Sequence, residues 1–403
     1  MSAHPSVLAC SRRTFLAGSA ALSALAAREA AAGEGTLRVG VIGCGGRGTG
    51  AALEALADDS VRVVALADLF EDQVESSADL LARAGDRGVV PAARRHAGPS
   101  AWLDLLAAPL DVVILAAPPA TRPAHLAAAT AAGLHSWCET PAAIDPTGLA
   151  TVAGALAEAR RRGLVVGAGL ASRFDAPTVA TVERVREGAI GAVRSIALHH
   201  DLNLPWRKVL PAGVSAAELR QRNWISWQDL SGGHFVEHHV HALDRALWLL
   251  GDDRLVGIEA VLPPEPSLAG EPGDIPAGVH VRYRFASGAV VEASCRRSDR
   301  ARGGAVETVI GARGRADLVA ARLESTGGEP WVAAAVPAER RGEMFGVAFA
   351  AFLDRIRSAG TGVDGTVEGE RLLRATGLAV AGSMAASGRR VDPASLFSGF
   401  GTA

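Results

Sequence analysis

The 403-residue sequence has few cysteines, little net charge and almost no lysine, and the first two scarcities exclude whole classes of protein. Four cysteines are too few for a disulfide-stabilised scaffold. A formal net charge of −2 gives no electrostatic reason to expect nucleic acid or an anionic membrane as a partner. Because 49% of the residues are apolar, a mainly disordered chain is excluded as well.

Lysine is nearly absent, since Lys208 is the only one and arginine supplies the other 40 of the 41 basic residues. Together with the many alanines, this skew indicates a coding bias toward GC-rich codons. Such a bias exchanges lysine for arginine. It does not account for a lysine that is replaced by any other residue.

Residues 1–34 are typical of an export signal followed by a linker. Positions 11–16 read Ser-Arg-Arg-Thr-Phe-Leu, and a run of small and apolar residues continues to Ala27. The arginine pair before this run is similar to a twin-arginine signal. The run is shorter than the ~20 residues of a spanning helix, so no permanent membrane anchor is expected. We expect export to the periplasm or the cell exterior.

A glycine motif follows the first predicted strand. It reads Gly43-Cys44-Gly45-Gly46-Arg47-Gly48, opens a predicted helix, and is followed by a second strand that ends in Asp68. Strand, G-x-G-x-x-G, helix, strand and acid together are typical of a dinucleotide site. Gly43 permits the tight turn, Gly45 lets the backbone approach a pyrophosphate, and Gly48 lets the helix pack on the strand.

The same motif predicts which nucleotide is bound. The helix that begins near Gly46 offers free N–H groups and a positive dipole end to the phosphates. Asp68 can accept a hydrogen bond from a ribose 2′-hydroxyl, which favours NAD. Arg47 is able to hold a phosphate, so NADP stays the alternative.

Strands and helices continue to alternate as far as Ala168, which predicts a doubly wound parallel sheet over residues 35–168. Ligands are expected at the carboxyl edge of such a sheet. That edge should carry, besides the glycine motif, two strand ends with the residues Ala117, Pro118, Pro119, Glu139 and Thr140. Residues 169–403 predict a second, α+β domain with an open, largely antiparallel sheet and a C-terminal helix.

A polar and aromatic segment, residues 203–230, interrupts the second domain. Aromatic faces with hydrogen-bonding groups suit sugar rings, and the substrate candidates here are Trp206, Lys208, Trp224 and Trp227. The alternative is a surface insertion with buried tryptophans.

Residues 232–251 predict one amphipathic helix rich in histidine. Glu237, His241 and Asp244 fall on one stripe of it, so Glu237 is expected one turn from His241 with Asp244 on the other side. A carboxylate neighbour orients an imidazole and stabilises its charged form. His234, Glu237, His238 and His241 also have the spacing of metal ligands, but not the H-E-x-x-H order, and no metal is predicted.

The sequence resembles the Gfo/Idh/MocA family of glucose–fructose oxidoreductase and inositol dehydrogenase. The resemblance rests on the glycine motif, Asp68, the strand ends at 117–119 and 138–141, and the pair His241 and Asp244. The stretch Arg122-Pro123-x-His125 resembles an exported subgroup. The family pattern at 139–141 is Glu-Lys-Pro, and its lysine binds or helps deprotonate the substrate hydroxyl. This chain has Thr140 there, which carries no charge.

The resemblance implies His241 as general acid and base, Glu237 as its partner, and Arg122, Arg173 and Asp244 among the substrate contacts. It implies an NAD(P)-dependent oxidoreductase for a sugar, a polyol or a sugar derivative, and a homodimeric or homotetrameric assembly. A tightly held cofactor would suit export of the folded protein. Relatives that cleave glycosides with NAD also lack the lysine, so a redox-assisted glycoside hydrolase or lyase is the second hypothesis. A catalytically degenerate binding protein is the third.

Overall fold

The computed structural model describes residues 35–393 except 204, 211–212, 269–270, 299–303, 338–339, 341 and 361. The predicted export signal therefore lies outside the described residues. Two β-sheets organise the described chain, one before residue 169 and one after it.

The first sheet is parallel and has six strands in the order β3-β2-β1-β4-β5-β6. These strands are β1 (Leu37–Ile42), β2 (Val61–Asp68), β3 (Arg95–Ala97), β4 (Val112–Leu115), β5 (His135–Cys138) and β6 (Val166–Ala168). The α-helices between them are α1 (Gly46–Leu56), α2 (Glu71–Ala82), α3 (Ala101–Leu106), α4 (Arg122–Ala131) and α5 (Pro146–Arg161). Every residue of β4 is buried, as expected for a strand covered on both faces.

The strand register brings four strand ends to one edge of this sheet. Ile42 lies opposite both Ala67 and Leu115, and Leu115 lies opposite Cys138. The glycine motif, Asp68 and the segments that start at residues 116 and 139 therefore share the carboxyl edge. This is the edge at which the sequence predicts a ligand.

The second sheet has eight strands in the order β14-β13-β12-β11-β7-β10-β9-β8. Its strands are β7 (Val193–Leu202), β8 (Leu255–Glu265), β9 (Gly278–Phe285), β10 (Val290–Arg297), β11 (Gly304–Gly311), β12 (Gly314–Asp317), β13 (Arg322–Ser325) and β14 (Trp331–Val332). Only the β7–β10 pair is parallel. The predicted fold class, a Rossmann-type parallel sheet plus an α+β domain with a largely antiparallel sheet, is confirmed.

Five further helices belong to the second half of the chain. They are α6 (Ala176–Arg186), α7 (Ala216–Arg222), α8 (Gln228–Ser231), α9 (Gly233–Glu237) and α10 (Val240–Leu250). Helix α9 packs on β10 and α10 packs on β7. Strands β3 and β12–β14 did not stand out in the sequence, because they have only two to four residues and carry polar side chains on the exposed side.

Two C-terminal helices, α11 (Glu343–Arg357) and α12 (Val367–Ala386), return toward the first sheet. Phe349 and Phe352 of α11 pack on Trp137 of β5, with ring centroids 4.9 and 5.5 Å away. In α12, Thr376 Oγ1 accepts a hydrogen bond from the backbone of Ala142, and the Leu378 carbonyl accepts one from Tyr283 of β9. Helix α12 thus joins both sheets. None of the described helices has the length and apolar character needed to cross a membrane.

Candidate active site

Two glycines of the motif are required by packing. Gly43 has a φ of +95°, and a Cβ there would lie 2.3 Å from the backbone nitrogen of Ala117. A Cβ at Gly48 would lie 1.8 Å from the carbonyl oxygen of Gly43. The motif therefore permits the tight turn and the close approach of α1 to β1 that the sequence predicts.

The other two glycines face open space. A Cβ at Gly45 or Gly46 would meet no atom within 4 Å. The first hydrogen bond of α1 runs from Thr49 to the Gly45 carbonyl, so the N–H groups of residues 46–48 precede the intrahelical ladder. An open cradle beneath unpaired N–H groups fits a pyrophosphate.

Asp68 lies beside this cradle at the end of β2. Its carboxylate accepts hydrogen bonds from the backbone N–H groups of Cys44, at 2.7 Å, and Phe70, at 3.0 Å. Burial raises the pKa of Asp68 despite these two bonds. Each oxygen keeps a lone pair that can accept a ribose hydroxyl, so the residue fits its predicted role.

Arg47 is already engaged by protein carboxylates. It pairs with Glu54 at 2.9 Å and with Glu139 at 3.3 Å, and it stacks over the ring of Phe345. Glu139 also accepts a hydrogen bond from Trp137 Nε1 at 2.8 Å. Arg47 and Glu139 thus form contacts within the protein at the carboxyl edge. To bind a phosphate, Arg47 would have to give up one of its contacts with a carboxylate.

Arg122 lies inside the protein and joins two strand ends. Its guanidinium donates to the carbonyl of Ala117, at 2.6 Å, and to that of Pro141. The residue is 3% exposed, and burial lowers the pKa of its guanidinium. The expectation that Arg122 contacts substrate is therefore corrected. It fixes the turn at residues 117–119 against the turn at 139–141.

Thr140 contacts His241. The hydroxyl oxygen of Thr140 lies 3.2 Å from Nε2 of the imidazole, across 101 positions of the chain. Both residues keep part of their surface accessible. The position that carries a lysine in the resembling family is thus occupied by a neutral hydroxyl in contact with the predicted general acid and base.

The predicted single helix over residues 232–251 is in fact two helices, α9 and α10, broken at His238 and His239. The imidazole of His200, from β7, packs against both of these rings, with centroids 5.7 and 4.7 Å away. The helical spacing of the apolar residues does not reveal this turn.

The break separates Glu237 from His241. No hydrogen bond joins the two side chains in the described part of the chain, and the charged neighbours of Glu237 are Arg297 and Arg122. Burial raises the pKa of Glu237 in spite of these arginines. The helix on which the expected partnership of Glu237 with His241 was based is thus interrupted, and the catalytic role of Glu237 stays a prediction.

The imidazole of His241 is held neutral. Burial lowers its pKa to about 3, and the charges of Arg245 and His238 act in the same direction. Only the uncharged ring is present near neutral pH. It can accept a proton at one nitrogen while the other donates a hydrogen bond.

A buried cluster missed in the sequence lies behind His241. Glu307 of β11 accepts hydrogen bonds from His200 Nε2, at 2.9 Å, and from Arg245 Nε, at 2.6 Å. Burial opposes ionisation of Glu307, but the bonds from His200 and Arg245 lower its pKa to about 2. The one sequence feature that could have indicated this cluster is Glu307 itself, a charged residue at an inward-facing position of β11.

Asp244 and Arg173 form a buried ion pair. The guanidinium binds both carboxylate oxygens, with the shortest distance at 2.8 Å, and the side chains are 8% and 0% exposed. The guanidinium also lies over Trp248 at 4.9 Å. Each residue satisfies the other's charge inside the protein, which favours a structural role, and their contact with substrate stays a prediction.

The aromatic segment lies against the nucleotide-binding domain. Trp206 and Trp224 contact each other edge to face at 6.1 Å, and Arg220 covers the ring of Trp227. Lys208 Nζ donates to Gln73 Oε1 of α2 at 3.2 Å. Lys208 therefore lies by Asp68 rather than by Thr140, and it does not replace the missing lysine.

The described residues contain no group of three or more His, Cys, Asp and Glu side chains arranged to hold a metal ion. The histidines at 234, 238 and 241 are therefore not arranged as a metal site in the described structure. His234 and His238 instead stack on each other, with ring centroids 5.2 Å apart.

Three comparisons relate this chain to known proteins. Residues 179–317, about a third of the chain, match the model of the GFO/IDH/MocA C-terminal domain. The chain is 27% identical over 259 residues to myo-inositol 2-dehydrogenase of Thermotoga maritima, a match that spans 63% of this chain and 66% of that protein. It thus covers just under two thirds of that relative's own length.

Solved structures share the fold. The aldose-aldose oxidoreductase of Caulobacter crescentus, complexed with glycerol, is 20% identical, with a TM-score of 0.66 over 89% of this chain and 99% of that one. GenD2 from gentamicin A biosynthesis, in complex with NAD, is 22% identical, with a TM-score of 0.63 over 89% and 96%. At these identities the solved structures show a shared fold, and the GFO/IDH/MocA model matches part of the second domain.

Proposed function

We propose that this protein is an exported oxidoreductase that uses NAD to act on a sugar, a polyol or a sugar derivative. The observation that carries the proposal is the contact between Thr140 and His241 at the carboxyl edge that also holds the open glycine cradle. A proton-handling pair beside a nucleotide cradle suits oxidation of a hydroxyl group.

The cradle residues fit a nicotinamide dinucleotide. Gly45 and Gly46 leave room for a pyrophosphate, Asp68 can accept from the adenosine ribose, and residues 117–119 complete the same edge. When bound, the nicotinamide supplies the acceptor for the two electrons that leave the substrate carbon. The remaining chemistry belongs to the side chains of the chain itself.

Thr140 and His241 handle the proton. A hydroxyl has one hydrogen to donate and two lone pairs. If Thr140 donates to His241 Nε2, its lone pairs can accept from the substrate hydroxyl. The substrate proton then passes to Thr140 while the Thr140 proton passes to Nε2. The buried Glu307, bonded to His200 and Arg245, is the negative charge that favours the imidazolium so formed.

The names of similar proteins support the substrate class. The curated relative is a myo-inositol dehydrogenase, and one similar structure is an aldose-aldose oxidoreductase. Both names describe polyhydroxylated carbon rings or chains. A sugar or polyol hydroxyl is accordingly the group that we expect at Thr140.

The test begins with the nucleotide. Purified protein is denatured and the released small molecules are identified by mass spectrometry, before and after incubation with NAD and with NADP. The proposal expects one bound NAD per chain, and failure to bind either nucleotide would overturn it. Aglycone release from a glycoside with no net reduction of NAD would favour the hydrolase or lyase instead.

Export and assembly are part of the proposal. The Arg-Arg-Thr-Phe motif at residues 12–15 supports transport of the folded protein, and replacing both arginines with lysine should keep the protein in the cytoplasm. Val306 and Ile310 are 55% and 40% exposed on the outer face of β11, which supports a homo-oligomer through the open sheet. Light scattering of the I310E variant should then report monomers.

A further inference from the structure

The segment that joins β7 to α8 reaches from the second domain to the nucleotide-binding domain. Its described part, residues 205–210 and 213–227, is here called the bridging segment. It contacts the start of α2, directly after Asp68. The observations below concern the residues that make this contact.

Arg222 fastens the bridging segment to the nucleotide-binding domain. Its guanidinium binds both carboxylate oxygens of Asp72, at 2.8 and 2.9 Å, and lies 3.9 Å above the ring centre of Phe70. The backbone of Phe70 in turn donates to Asp68. A planar guanidinium that is paired and stacked at once holds its partner in one orientation.

Lys208 is positioned from the same segment. The side-chain amide of the buried Asn223, next to Arg222, accepts from the Lys208 backbone N–H at 2.8 Å and donates to its carbonyl at 3.2 Å. The ammonium then reaches Gln73 Oε1 at 3.2 Å. Lys208 is also the cation whose charge acts on Asp68.

We propose that Lys208 is a ligand of the adenosine ribose, contributed by the second domain, and that Arg222 positions the bridging segment for this contact. Asp68 can only accept hydrogen bonds, whereas an ammonium can only donate them. A ribose hydroxyl does both, so the two residues are complementary around it. This inference rests on the proposed function, because it requires NAD in the glycine cradle.

Lysine is a suitable residue for this contact. Its compact ammonium has three donors, so it can bind Gln73 and still donate to a ribose hydroxyl. The positive charge also offsets Asp68, so a 2′-phosphate is repelled less than by the acid alone.

The test measures binding rather than turnover. NAD, ADP-ribose and nicotinamide mononucleotide are titrated by calorimetry into the full-length wild type and the K208M, K208R and R207M variants. K208M should bind NAD and ADP-ribose about tenfold more weakly, as expected for a lost hydrogen bond from a charged donor. Nicotinamide mononucleotide should bind all variants equally. R207M, which changes the exposed neighbouring arginine, is the matched control.

The rate at which NAD dissociates tests whether Arg222 positions the bridging segment. R222Q, which loosens the contact with Asp72 and Phe70 without touching the ribose, should release NAD faster while its thermal stability without NAD stays within a degree or two of the wild type. Equal NAD affinity and release in K208M and wild type would overturn the inference and leave the proposed function intact. A wild type that binds no NAD would overturn both.

Discussion

The hydroxyl of Thr140 lies 3.2 Å from Nε2 of His241, and the two residues come from different domains. Thr140 follows a strand of the parallel sheet, whereas His241 lies in the first turn of α10. The resembling family has a charged lysine at residue 140. Here the two ends of the contact are neutral, since burial keeps His241 uncharged. In the proposed reaction, proton transfer therefore depends on a hydroxyl at residue 140.

Replacing Thr140 with valine should preserve the shape of the site and remove its hydroxyl. We expect kcat to fall by about 10²-fold or more, as for loss of a general acid or base, while the Kd for NAD stays unchanged. T140S, which keeps the hydroxyl, is the control and should retain most activity. Full activity in T140V would show that the substrate reaches His241 directly.

Two glycines of the motif should respond oppositely to alanine. In G45A the new Cβ meets no protein atom and φ is −71°, so the fold should be kept while NAD affinity falls. In G48A the Cβ would contact the Gly43 carbonyl oxygen, and we expect a loss of about 1–3 kcal/mol in the free energy of unfolding. Calorimetric titration with NAD and thermal melts measure the two effects. Equal losses of stability would contradict the assignment of Gly45 to the nucleotide.

The ion pair between Arg173 and Asp244 should prove structural. D244N leaves a buried arginine without its partner, and we expect unfolding to require about 3–5 kcal/mol less free energy. The double variant R173M/D244L removes both charges and should recover much of that loss in urea unfolding. A stable double variant with no activity would instead indicate that Arg173 and Asp244 contact the substrate.

Stability should fall in mild acid, partly because of His125. Burial and the nearby Arg122 lower its pKa to about 4, so the unfolded chain takes up this proton first as the pH falls below about 6.5. Its contribution is complete above pH 6.5 and is lost progressively toward pH 4. His125 packs on Trp102 at 4.9 Å, a contact that the H125F variant keeps.

In H125F, the slope of unfolding free energy against pH should decrease by about 1.4 kcal/mol per pH unit in that window. Urea unfolding of both proteins at several pH values between 4.5 and 7, on the order of half a unit apart, measures the slopes. Parallel curves for the two proteins would contradict the account of His125.

The sequence predicted what local patterns determine. The glycine motif, Asp68 and the strand ends at residues 117 and 139 reach one edge because parallel strands require it. The apolar spacing over residues 232–251 is helical throughout, so it could not show that α9 and α10 are separate. The break lies at His238 and His239, where the ring of His200 from a distant strand packs. Glu307 and the contact of Lys208 with α2 likewise depend on pairings that no local pattern encodes.

A single-turnover experiment tests the central claim most directly. Protein loaded with NAD is mixed with inositols, aldoses and their glycosides, while nicotinamide reduction is followed by absorbance and the products by mass spectrometry. The account predicts reduction of the bound nicotinamide by at least one polyol or sugar, with the substrate losing two hydrogens, and a loss of this reaction in H241N. Unchanged reduction of the nicotinamide in H241N would contradict this account. So would a protein that binds one NAD per chain but whose NAD is reduced by no inositol, aldose or glycoside.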